Sequence, residues 1–349
     1  MTMSPTIQIA GREIAAQAPC YVIAEIGVNH NGDKALAHKM IEEAHKQGAD
    51  AVKFQTYRTQ DLVLETAIKA DYQARSTGEG SQYDMLRSLE LPFEVFAELR
   101  DHCQDIGIDF MSTAFDPISL DYVISLKPAC LKWPSGELTN LPLLRKAKAS
   151  GLPVMLSTGM GNLGEISKAV DVLGADTDIV ILQCVSNYPA RIEDQNLRVL
   201  ASMQSAFGCP VGFSDHTIGP YAALVAKALG MAVLEKHFTL DCTMTGPDHA
   251  ASIEAKEFGE MVRLLRQIEA GLGDGVKRAT SSEKMMQSVV RKSIVYRDDF
   301  AAGHVLQEDD MMGKRPGNGV EVSRMDQFVG SVLTQDVAKD DLLEISHVR

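Results

Sequence analysis

The sequence predicts a (β/α)₈ barrel followed by a small β-rich domain, and three observations support this prediction. Eight short apolar runs alternate with amphipathic stretches from Tyr21 to about Gly273, as repeated βα units around a parallel sheet would require. Eight units over roughly 250 residues match a closed barrel better than a doubly wound sheet. Beyond a polar segment at residues 276–287 the helical period is lost, which indicates a separate module.

Each element of the barrel can be placed from this pattern. The eight predicted strands are YVIAEIG from Tyr21, AVKFQTY from Ala51, DFMST from Asp109, CLKWPS from Cys130, PVMLST from Pro153, IVILQCV from Ile179, VGFSD from Val211 and AVLEKHF from Ala232. Predicted outer helices such as FEVFAELRDHCQDIG end at a glycine suited to a left-handed C-terminal cap. One polar connection, from about Arg58 to Gln82, exceeds ordinary loop lengths, which is typical of a functional loop.

The domain boundaries follow from the same pattern. We expect the barrel domain at residues 1–275 with an N-terminal hairpin at 1–19, a linker at 276–287 and the β-rich module at 288–349. Within the module, DFAAGHVL from Asp299 is similar to DVAKDDLL from Asp336. This internal similarity indicates a module built from two similar halves.

Composition and charge exclude several classes of function. A formal net charge of −13 without clustered Lys and Arg argues against nucleic-acid binding. The six cysteines form no CxxC pair, so neither a zinc knuckle nor a disulfide framework is expected. No run approaches the roughly 18 apolar residues of a membrane span, and the N-terminus lacks a signal-peptide pattern. We therefore expect a cytoplasmic protein that binds no membrane.

Polar residues stand at the C-terminal end of every predicted strand, where a barrel has its active site. They are Glu25, Lys53, Gln55, Thr113, Lys132, Ser135, Glu137, Ser157, Thr158, Ser186, Tyr188, Ser214, Asp215, His216, Glu235 and His237. A single residue of this kind could merely satisfy a loop backbone. Polar residues at all eight strands together predict a functional site.

Two lysines among these residues indicate the charge of the substrate. Lys53 and Lys132 lie in apolar runs, where a buried ammonium is costly unless an anion neutralises it. A doubly anionic small substrate would fulfil this requirement. The alternative is internal pairing of the lysines with Glu25, Glu137 or Glu235.

Two histidines indicate a metal site. His216 and His237 end the seventh and eighth strands, which are neighbours in a closed barrel. Two imidazoles with nearby carboxylates favour Mn²⁺, with Mg²⁺ or Co²⁺ as alternatives, as a Lewis acid acting on a carbonyl. The other interpretation is a pair of hydrogen-bonded histidines without metal. Glu25 and Glu137 are the candidates for proton transfer.

Eight motifs connect the chain with a known family. They are EIGVNHNG, VKFQT, KWPSGE, LSTGM, GFSDHT, EKHFTLD, TGPDH and KRPGNG, and together they extend over nearly the whole length. In these motifs the chain resembles the N-acetylneuraminate (sialic acid) synthases and their legionaminate and pseudaminate relatives. The resemblance implies a TIM barrel followed by an antifreeze-like (SAF, β-clip) domain. It also implies a domain-swapped homodimer in which Arg315 reaches the sugar bound by the other subunit.

The resemblance further implies individual roles. Lys53 and Lys132 join Glu25 and Glu137 as catalytic candidates, and the histidines named above bind the metal. Substrate-binding candidates, from the resemblance and from their place at the strand ends, are Gln55, Thr113, Ser135, Ser157, Ser186, Tyr188, Ser214, Asp248 and Arg315. Among them Tyr188, Asp248 and Arg315 are implied to contact the sugar.

The implied reaction joins C3 of phosphoenolpyruvate to the open-chain aldehyde of an N-acylated amino sugar while water attacks C2 and phosphate leaves. With N-acetylmannosamine as the acceptor, which is the expected reaction, the product is N-acetylneuraminate. The alternative is a legionaminate synthase that uses 2,4-diacetamido-2,4,6-trideoxymannose, since the segment ADYQARSTGEGSQYDML resembles a subgroup that contains both activities. A barrel that binds a sugar without turnover is the alternative from another class.

Overall fold

The computed structural model describes residues 5–349, and the chain divides into two compact units between Gly273 and Asp274. At the start of the first unit, β1 (Ile7–Ile9) and β2 (Arg12–Ile14) form an antiparallel hairpin. The predicted hairpin at 1–19 therefore contains this pair, while its residues 1–4 lie outside the described part of the chain.

Eight parallel strands form the barrel predicted from the sequence. They are β3 (Tyr21–Gly27), β4 (Ala51–Thr56), β5 (Asp109–Ala114), β6 (Leu131–Trp133), β7 (Val154–Ser157), β8 (Ile179–Cys184), β9 (Val211–Asp215) and β10 (Val233–Thr239). Their order in the sheet is β5-β4-β3-β10-β9-β8-β7-β6. Between the end strands the Ala129 N–H donates to the Phe110 carbonyl at 3.4 Å, so the barrel is nearly closed. The predicted fold class is confirmed.

Helices surround the barrel and also occupy the long connection after β4. They are α1 (Lys34–Lys46), α2 (Thr59–Leu62), α3 (Asp71–Thr77), α4 (Gln82–Leu89), α5 (Phe93–Ile106), α6 (Pro117–Ser125), α7 (Leu141–Lys148), α8 (Leu163–Leu173), α9 (Val199–Phe207), α10 (Tyr221–Ala228) and α11 (Ala255–Leu272). A short strand, β11 (Ile253–Glu254), adds to the end of β10. The connection that the sequence predicts as one long polar loop thus contains α2, α3 and α4.

Helix α5 illustrates how the sequence determines these elements. Its buried residues Phe96, Leu99 and Cys103 recur at helical spacing and face the sheet. The helix ends at Gly107, whose φ of 81° is the left-handed conformation that glycine adopts without strain. The position of this cap agrees with the sequence prediction.

The interior of the barrel is apolar at one end and polar at the other. Near the N-terminal ends of the strands, Ile23, Met111 and Val180 pack in one cluster with Ile9 and Ile14 of the hairpin. This packing fills the lower half of the barrel. The polar residues are therefore confined to the C-terminal ends, where the strand ends converge on one mouth.

The second unit is small and rich in irregular β-structure. It contains α12 (Ser281–Val290) and the antiparallel pair β12 (Ser293–Tyr296) and β13 (Met311–Lys314). The two similar segments pair with each other, since the Phe300 and Val337 backbones exchange hydrogen bonds at 2.9 and 3.0 Å. Helix α12 begins inside the segment expected to be a linker, because Thr280 and Glu283 form a capping box there. In the described chain, none of the helices is long and apolar enough to cross a membrane.

Candidate active site

A cavity of about 270 Å³ lies at the C-terminal ends of the barrel strands. The structure brings together in its lining all predicted site residues except Glu137, Thr158, Asp215 and Arg315. Those that line it are Glu25, Lys53, Gln55, Thr113, Lys132, Ser135, Ser157, Ser186, Tyr188, Ser214, His216, Glu235, His237 and Asp248. The arrangement agrees with the rule that the active site of such a barrel is built from the strand ends.

Four charged side chains form what we call the charged floor of this cavity: Glu25, Lys53, Lys132 and Glu235. The Lys53 Nζ lies 2.7 Å from a Glu25 oxygen and 3.8 Å from a Glu235 oxygen. The Lys132 Nζ lies 3.2 Å from the other Glu235 oxygen. All four residues are at most 4% exposed, so their charges interact with little screening by water. The pairing of lysines with acidic neighbours, the alternative stated above, is present with Glu25 and Glu235.

The pKa values explain how a floor with internal ion pairs can still accept an anion. Burial raises the pKa of Glu25 to about 7, against the opposing effect of Lys53. Burial also disfavours the charged form of Lys53, but Glu235 and Glu25 outweigh it and raise the Lys53 pKa. For Glu235, burial is outweighed by Lys132 and Lys53, which lower its pKa to about 2. Protonation of Glu25 alone therefore leaves the floor with an excess positive charge for an anionic substrate.

Neutral donors complete the surroundings of the floor. Thr113 Oγ1 accepts a hydrogen bond from Lys53 at 3.1 Å, and the Ser214 hydroxyl donates to Glu235 at 2.9 Å. The Ser157 hydroxyl is buried and has no hydrogen-bond partner within residues 5–349. Since a buried hydroxyl is rarely left unpaired, this donor fits an anionic ligand.

Gly159 allows two of the predicted substrate-binding serines to approach the end of β7. A β-carbon built on Gly159 would overlap the side chains of Ser135 and Ser186. The Gly159 φ of 20° also disfavours any other residue. The glycine in LSTGM is therefore required by close packing inside the site.

We expect Gly159→Ala to raise the KM for the predicted anionic substrate by about tenfold or more, because Ser135 and Ser186 must move to make room for the methyl group. Steady-state kinetics with the second substrate at saturation would measure this change. Gly164→Ala, at the first turn of α8 outside the cavity, is the matched control, since its β-carbon would meet only Asn162. Equal KM values for wild type and Gly159→Ala would contradict the role given to this turn.

The two histidines lie next to each other, with ring centroids 5.5 Å apart. The His216 Nδ1 lies 2.7 Å from the Val185 carbonyl, an arrangement in which Nδ1–H donates and Nε2 keeps its lone pair. The His237 Nδ1 is buried without a hydrogen-bond partner among the described residues, and the nearest Asp248 oxygen is 4.0 Å away. This donor set fits a divalent ion that takes its remaining ligands from water and substrate. Residues 5–349 contain no cluster of three or more His, Cys, Asp or Glu suited to a metal.

Aromatic rings connect the histidines with the long connection after β4. The Tyr188 ring lies 4.1 Å from His216 and 5.4 Å from His237 between centroids. The Tyr72 ring of α3 lies 5.2 Å from Tyr188. Asp248 approaches His237 to 4.0 Å, and burial raises the pKa of Asp248 to about 6. Two of the side chains implied to contact the sugar, Tyr188 and Asp248, thus lie beside the histidine pair.

Four predicted residues do not line the cavity. The Thr158 hydroxyl donates to the Leu182 carbonyl at 2.9 Å, and the Asp215 carboxylate accepts from the Lys236 ammonium at 2.8 Å. The Glu137 carboxylate accepts a hydrogen bond from the Asn140 side chain at 2.6 Å and does not line the cavity. Its position does not support direct proton transfer, which leaves Glu25 as the candidate base. Arg315 belongs to the second unit, where its Nε donates to the Val290 carbonyl at 3.0 Å. The role of Arg315 at the sugar stays a prediction.

The sequence analysis missed several lining residues that come from the helices after β4 and from neighbouring loops. They are Val28, Tyr72, Gln73, Met85, Leu86 and Phe115. The available signal was the length of the connection, which indicated a functional loop without indicating which side chains face the site. Only the packing of α3 and α4 over the mouth reveals them.

Fold and site together define a (β/α)₈ barrel with a buried charged floor beside a histidine pair. Comparison with known proteins identifies the family: the chain matches the NeuB family over residues 40–277 and the SAF domain over residues 291–349. The chain belongs to the NeuB family. The predicted enzyme class, a carbon–carbon bond-forming transferase of the sialic acid synthase type, is confirmed by this membership.

Individual relatives refine this result. The N,N'-diacetyllegionaminic acid synthase of Campylobacter jejuni is 43% identical, over 92% of this chain and 98% of the relative, and that of Legionella pneumophila is 41% identical over 94% of each. The N-acetylneuraminate-9-phosphate synthase of Mus musculus is 34% identical over 86% of this chain and 84% of the relative. A solved structure of the N-acetylneuraminic acid synthetase from Leptospira borgpetersenii has a TM-score of 0.73 and 33% identity, over 81% of this chain and 95% of that one.

Proposed function

We propose that this chain condenses phosphoenolpyruvate with 2,4-diacetamido-2,4,6-trideoxymannose and water to give N,N'-diacetyllegionaminate and phosphate. The choice of sugar rests on one observation, namely 43% and 41% identity to two relatives named as N,N'-diacetyllegionaminic acid synthases. Relatives named as N-acetylneuraminate-9-phosphate synthases are 34% and 32% identical. The comparisons thus favour the alternative acceptor over N-acetylmannosamine, the one expected first.

The charged floor supports phosphoenolpyruvate as the donor. Its two ammonium groups neutralise the phosphate and carboxylate, and the unpaired Ser157 hydroxyl donates a further hydrogen bond. The buried position of these donors strengthens each interaction relative to water. We expect the bound donor to lie with its C2–C3 double bond above the floor, open to the acceptor.

The chemistry needs two new bonds and one cleavage. As the C2–C3 π electrons of phosphoenolpyruvate form the bond to the aldehyde carbon, the protonated Glu25 gives its proton to the aldehyde oxygen. Water then adds at C2, and one of its protons passes to the now ionised Glu25, whose pKa of about 7 suits transfer in both directions. The C2–O bond to phosphate breaks as the C2 carbonyl forms, and the second water proton leaves with the phosphate. No oxidant or reductant is consumed.

We further propose that His216 and His237 hold a divalent metal, Mn²⁺ in the first instance with Mg²⁺ or Co²⁺ as alternatives. When bound, the ion supplies Lewis-acid polarisation of the acceptor aldehyde. The hydrogen bond from His216 to the Val185 carbonyl supports this role, because it fixes the tautomer that a metal ligand requires. Tyr188 and Asp248 would orient the acceptor chain beside this pair.

Mass spectrometry of the products tests this function. Protein is incubated with phosphoenolpyruvate, Mn²⁺ and each of two sugars in separate reactions, and released phosphate is measured in parallel. We expect N,N'-diacetyllegionaminate to form with the higher kcat/KM, and N-acetylneuraminate to form more slowly. A preference for N-acetylmannosamine would overturn the choice of sugar. Absence of phosphate release with every sugar would favour a barrel that binds without turnover.

The domain-swapped homodimer and the sugar contact of Arg315 are part of the same proposal, and mixing tests them. Arg315→Ala and Lys53→Met proteins are each expected to be nearly inactive. If each site combines one subunit's barrel with the partner's Arg315, mixed dimers contain one complete site. Equal mixing with subunit exchange should then restore about a quarter of wild-type activity. Lack of recovery in dimers shown to have exchanged would contradict a shared site.

A further inference from the structure

The cavity has a second side whose chemistry is opposite to that of the charged floor. Val28, Met85, Leu86 and Phe115 present apolar side chains to it, and we call these four residues the apolar wall. A doubly charged three-carbon donor has no use for such a surface. The acceptor sugar is the other molecule in the cavity, and the apolar wall therefore concerns its recognition.

The apolar wall is a packed structure to which the long connection after β4 contributes Met85 and Leu86, while Val28 follows β3 and Phe115 follows β5. Val28 and Met85 belong to an apolar cluster with Tyr57 and Leu89, against which Leu86 and Phe115 also pack. Val28 and Met85 are 3% and 6% exposed, respectively. This packing separates the wall from the main barrel core and holds it at the mouth.

Hydrogen bonds hold α4 in place over the mouth. The Tyr57 hydroxyl donates to the Leu86 carbonyl at 3.1 Å, and the Thr59 hydroxyl donates to Glu90 at 2.6 Å. The position of the wall is thus set before any ligand binds, which favours discrimination between acceptors.

The direction of the acceptor follows from the reacting end. Its aldehyde must meet the donor beside His216 and His237, so the remaining carbons extend away from the charged floor. The rings of Tyr188 and Tyr72 continue from the histidines to α3, with centroid distances of 4.1 and 5.2 Å along this line. Tyr72 of α3 lines the same cavity as Met85 and Leu86 of α4. We therefore expect the far end of a six-carbon chain to reach the side of the cavity that the apolar wall lines.

We propose that the apolar wall receives the C6 end of the acceptor and selects a 6-deoxy sugar over a 6-hydroxylated or 6-phosphorylated one. This inference rests on the proposed function and identifies the feature of the substrate that the cavity recognises. A C6 methyl loses nothing by leaving water for this surface. A hydroxyl there loses its water hydrogen bonds without a new partner, and a phosphate loses far more. A preference of about 10- to 100-fold for the methyl over the hydroxyl is expected.

The test compares N-acetylmannosamine with its 6-deoxy analogue, which differ by one oxygen atom. Wild type is expected to show the higher kcat/KM for the 6-deoxy sugar. Leu86→Asn keeps the side-chain size but adds a donor and an acceptor, and it should lower the ratio of the two kcat/KM values about tenfold. Phe115→Tyr adds one hydroxyl to the wall and should also lower the ratio. It provides a second, independent test if Leu86→Asn folds poorly.

Two controls separate recognition from folding. Leu62→Asn changes a residue that packs against the same cluster but does not line the cavity, so the ratio should stay at the wild-type value. Leu86→Met keeps the wall apolar and should also preserve it. An unchanged ratio in folded Leu86→Asn and Phe115→Tyr proteins, or an equal fall in Leu62→Asn, would overturn the inference.

Failure of the apolar-wall inference and failure of the proposed function give different results. Turnover of 2,4-diacetamido-2,4,6-trideoxymannose by wild type, without any preference between the 6-deoxy and 6-hydroxy sugars, would retain the function and reject the wall's role. Preference for the 6-deoxy analogue without turnover of the diacetamido sugar would retain the wall's role and reject the proposed acceptor.

Discussion

A Lys53→Met variant is expected to lose nearly all turnover and to be less stable than wild type. The Lys53 ammonium lies 2.7 Å from Glu25 in a site where both side chains are at most 4% exposed. Removing it leaves a buried carboxylate without its partner, which costs about 3–5 kcal/mol of unfolding free energy. Loss of a preorganised charge at the donor should lower kcat/KM for phosphoenolpyruvate by a factor of about 10² to 10³. Urea denaturation and phosphate release measure the two effects.

Two further variants test whether the loss of stability in Lys53→Met comes from the unpaired Glu25 charge. Lys53→Met combined with Glu25→Gln should recover most of the stability, since no unpaired charge remains, yet stay inactive. Lys34→Met breaks an exposed pair with Glu98 and should change stability by less than about 1 kcal/mol. If the double variant were as unstable as Lys53→Met alone, charge pairing would not explain the loss. Wild-type kcat/KM in Lys53→Met would refute the charged floor as the donor site.

The barrel could be predicted from the sequence because its strands are buried on both faces. All seven residues of β3 are buried, and such continuous apolar runs stand out against the amphipathic helices between them. The short helices α2, α3 and α4 could not be predicted as securely, because four to eight residues carry too little periodic signal. Helix α12 has no buried residues, and its segment lies in Gly- and Ser-rich surroundings that are typical of a linker. The sequence therefore predicts a linker at this position rather than a helix.

The charged part of the site was predictable for a related reason. Once a barrel is assigned, its topology alone brings the C-terminal ends of the strands to one mouth. Lysines in apolar runs are then recognisable as site residues, because burying an ammonium group without an anionic partner is costly. Glu137 was placed there because it follows Ser135 in sequence, but the 3₁₀ turn Ser135–Glu137 directs it to Asn140 instead. The apolar wall was missed because Leu86 and Phe115 reach the cavity through tertiary packing of a loop. No local pattern distinguishes such residues from ordinary core.

We expect His237→Ala to lower kcat by about 10³-fold and to weaken Mn²⁺ binding strongly, while the protein keeps its fold. The His237 Nδ1 makes no hydrogen bond to the described residues, so truncation breaks no such bond there. What is lost is contact with the Tyr188 and His216 rings, 5.4 and 5.5 Å away between centroids, which should cost about 1 kcal/mol of unfolding free energy. Calorimetric titration with Mn²⁺, thermal unfolding and phosphate release are the three measurements.

The value of this experiment lies in comparing metal binding with turnover in matched variants. His102→Ala removes an imidazole between α1 and α5, beside His38 and remote from the cavity, and should leave Mn²⁺ affinity and kcat unchanged. His216→Ala should match His237→Ala, and the double variant should be little worse than either, since ligands of one ion act as a unit. Wild-type Mn²⁺ affinity in folded His237→Ala would show that the pair is hydrogen-bonded structure and that the aldehyde is activated by other groups. Loss of both affinity and turnover with an intact fold is the outcome that only a metal held by these two imidazoles explains.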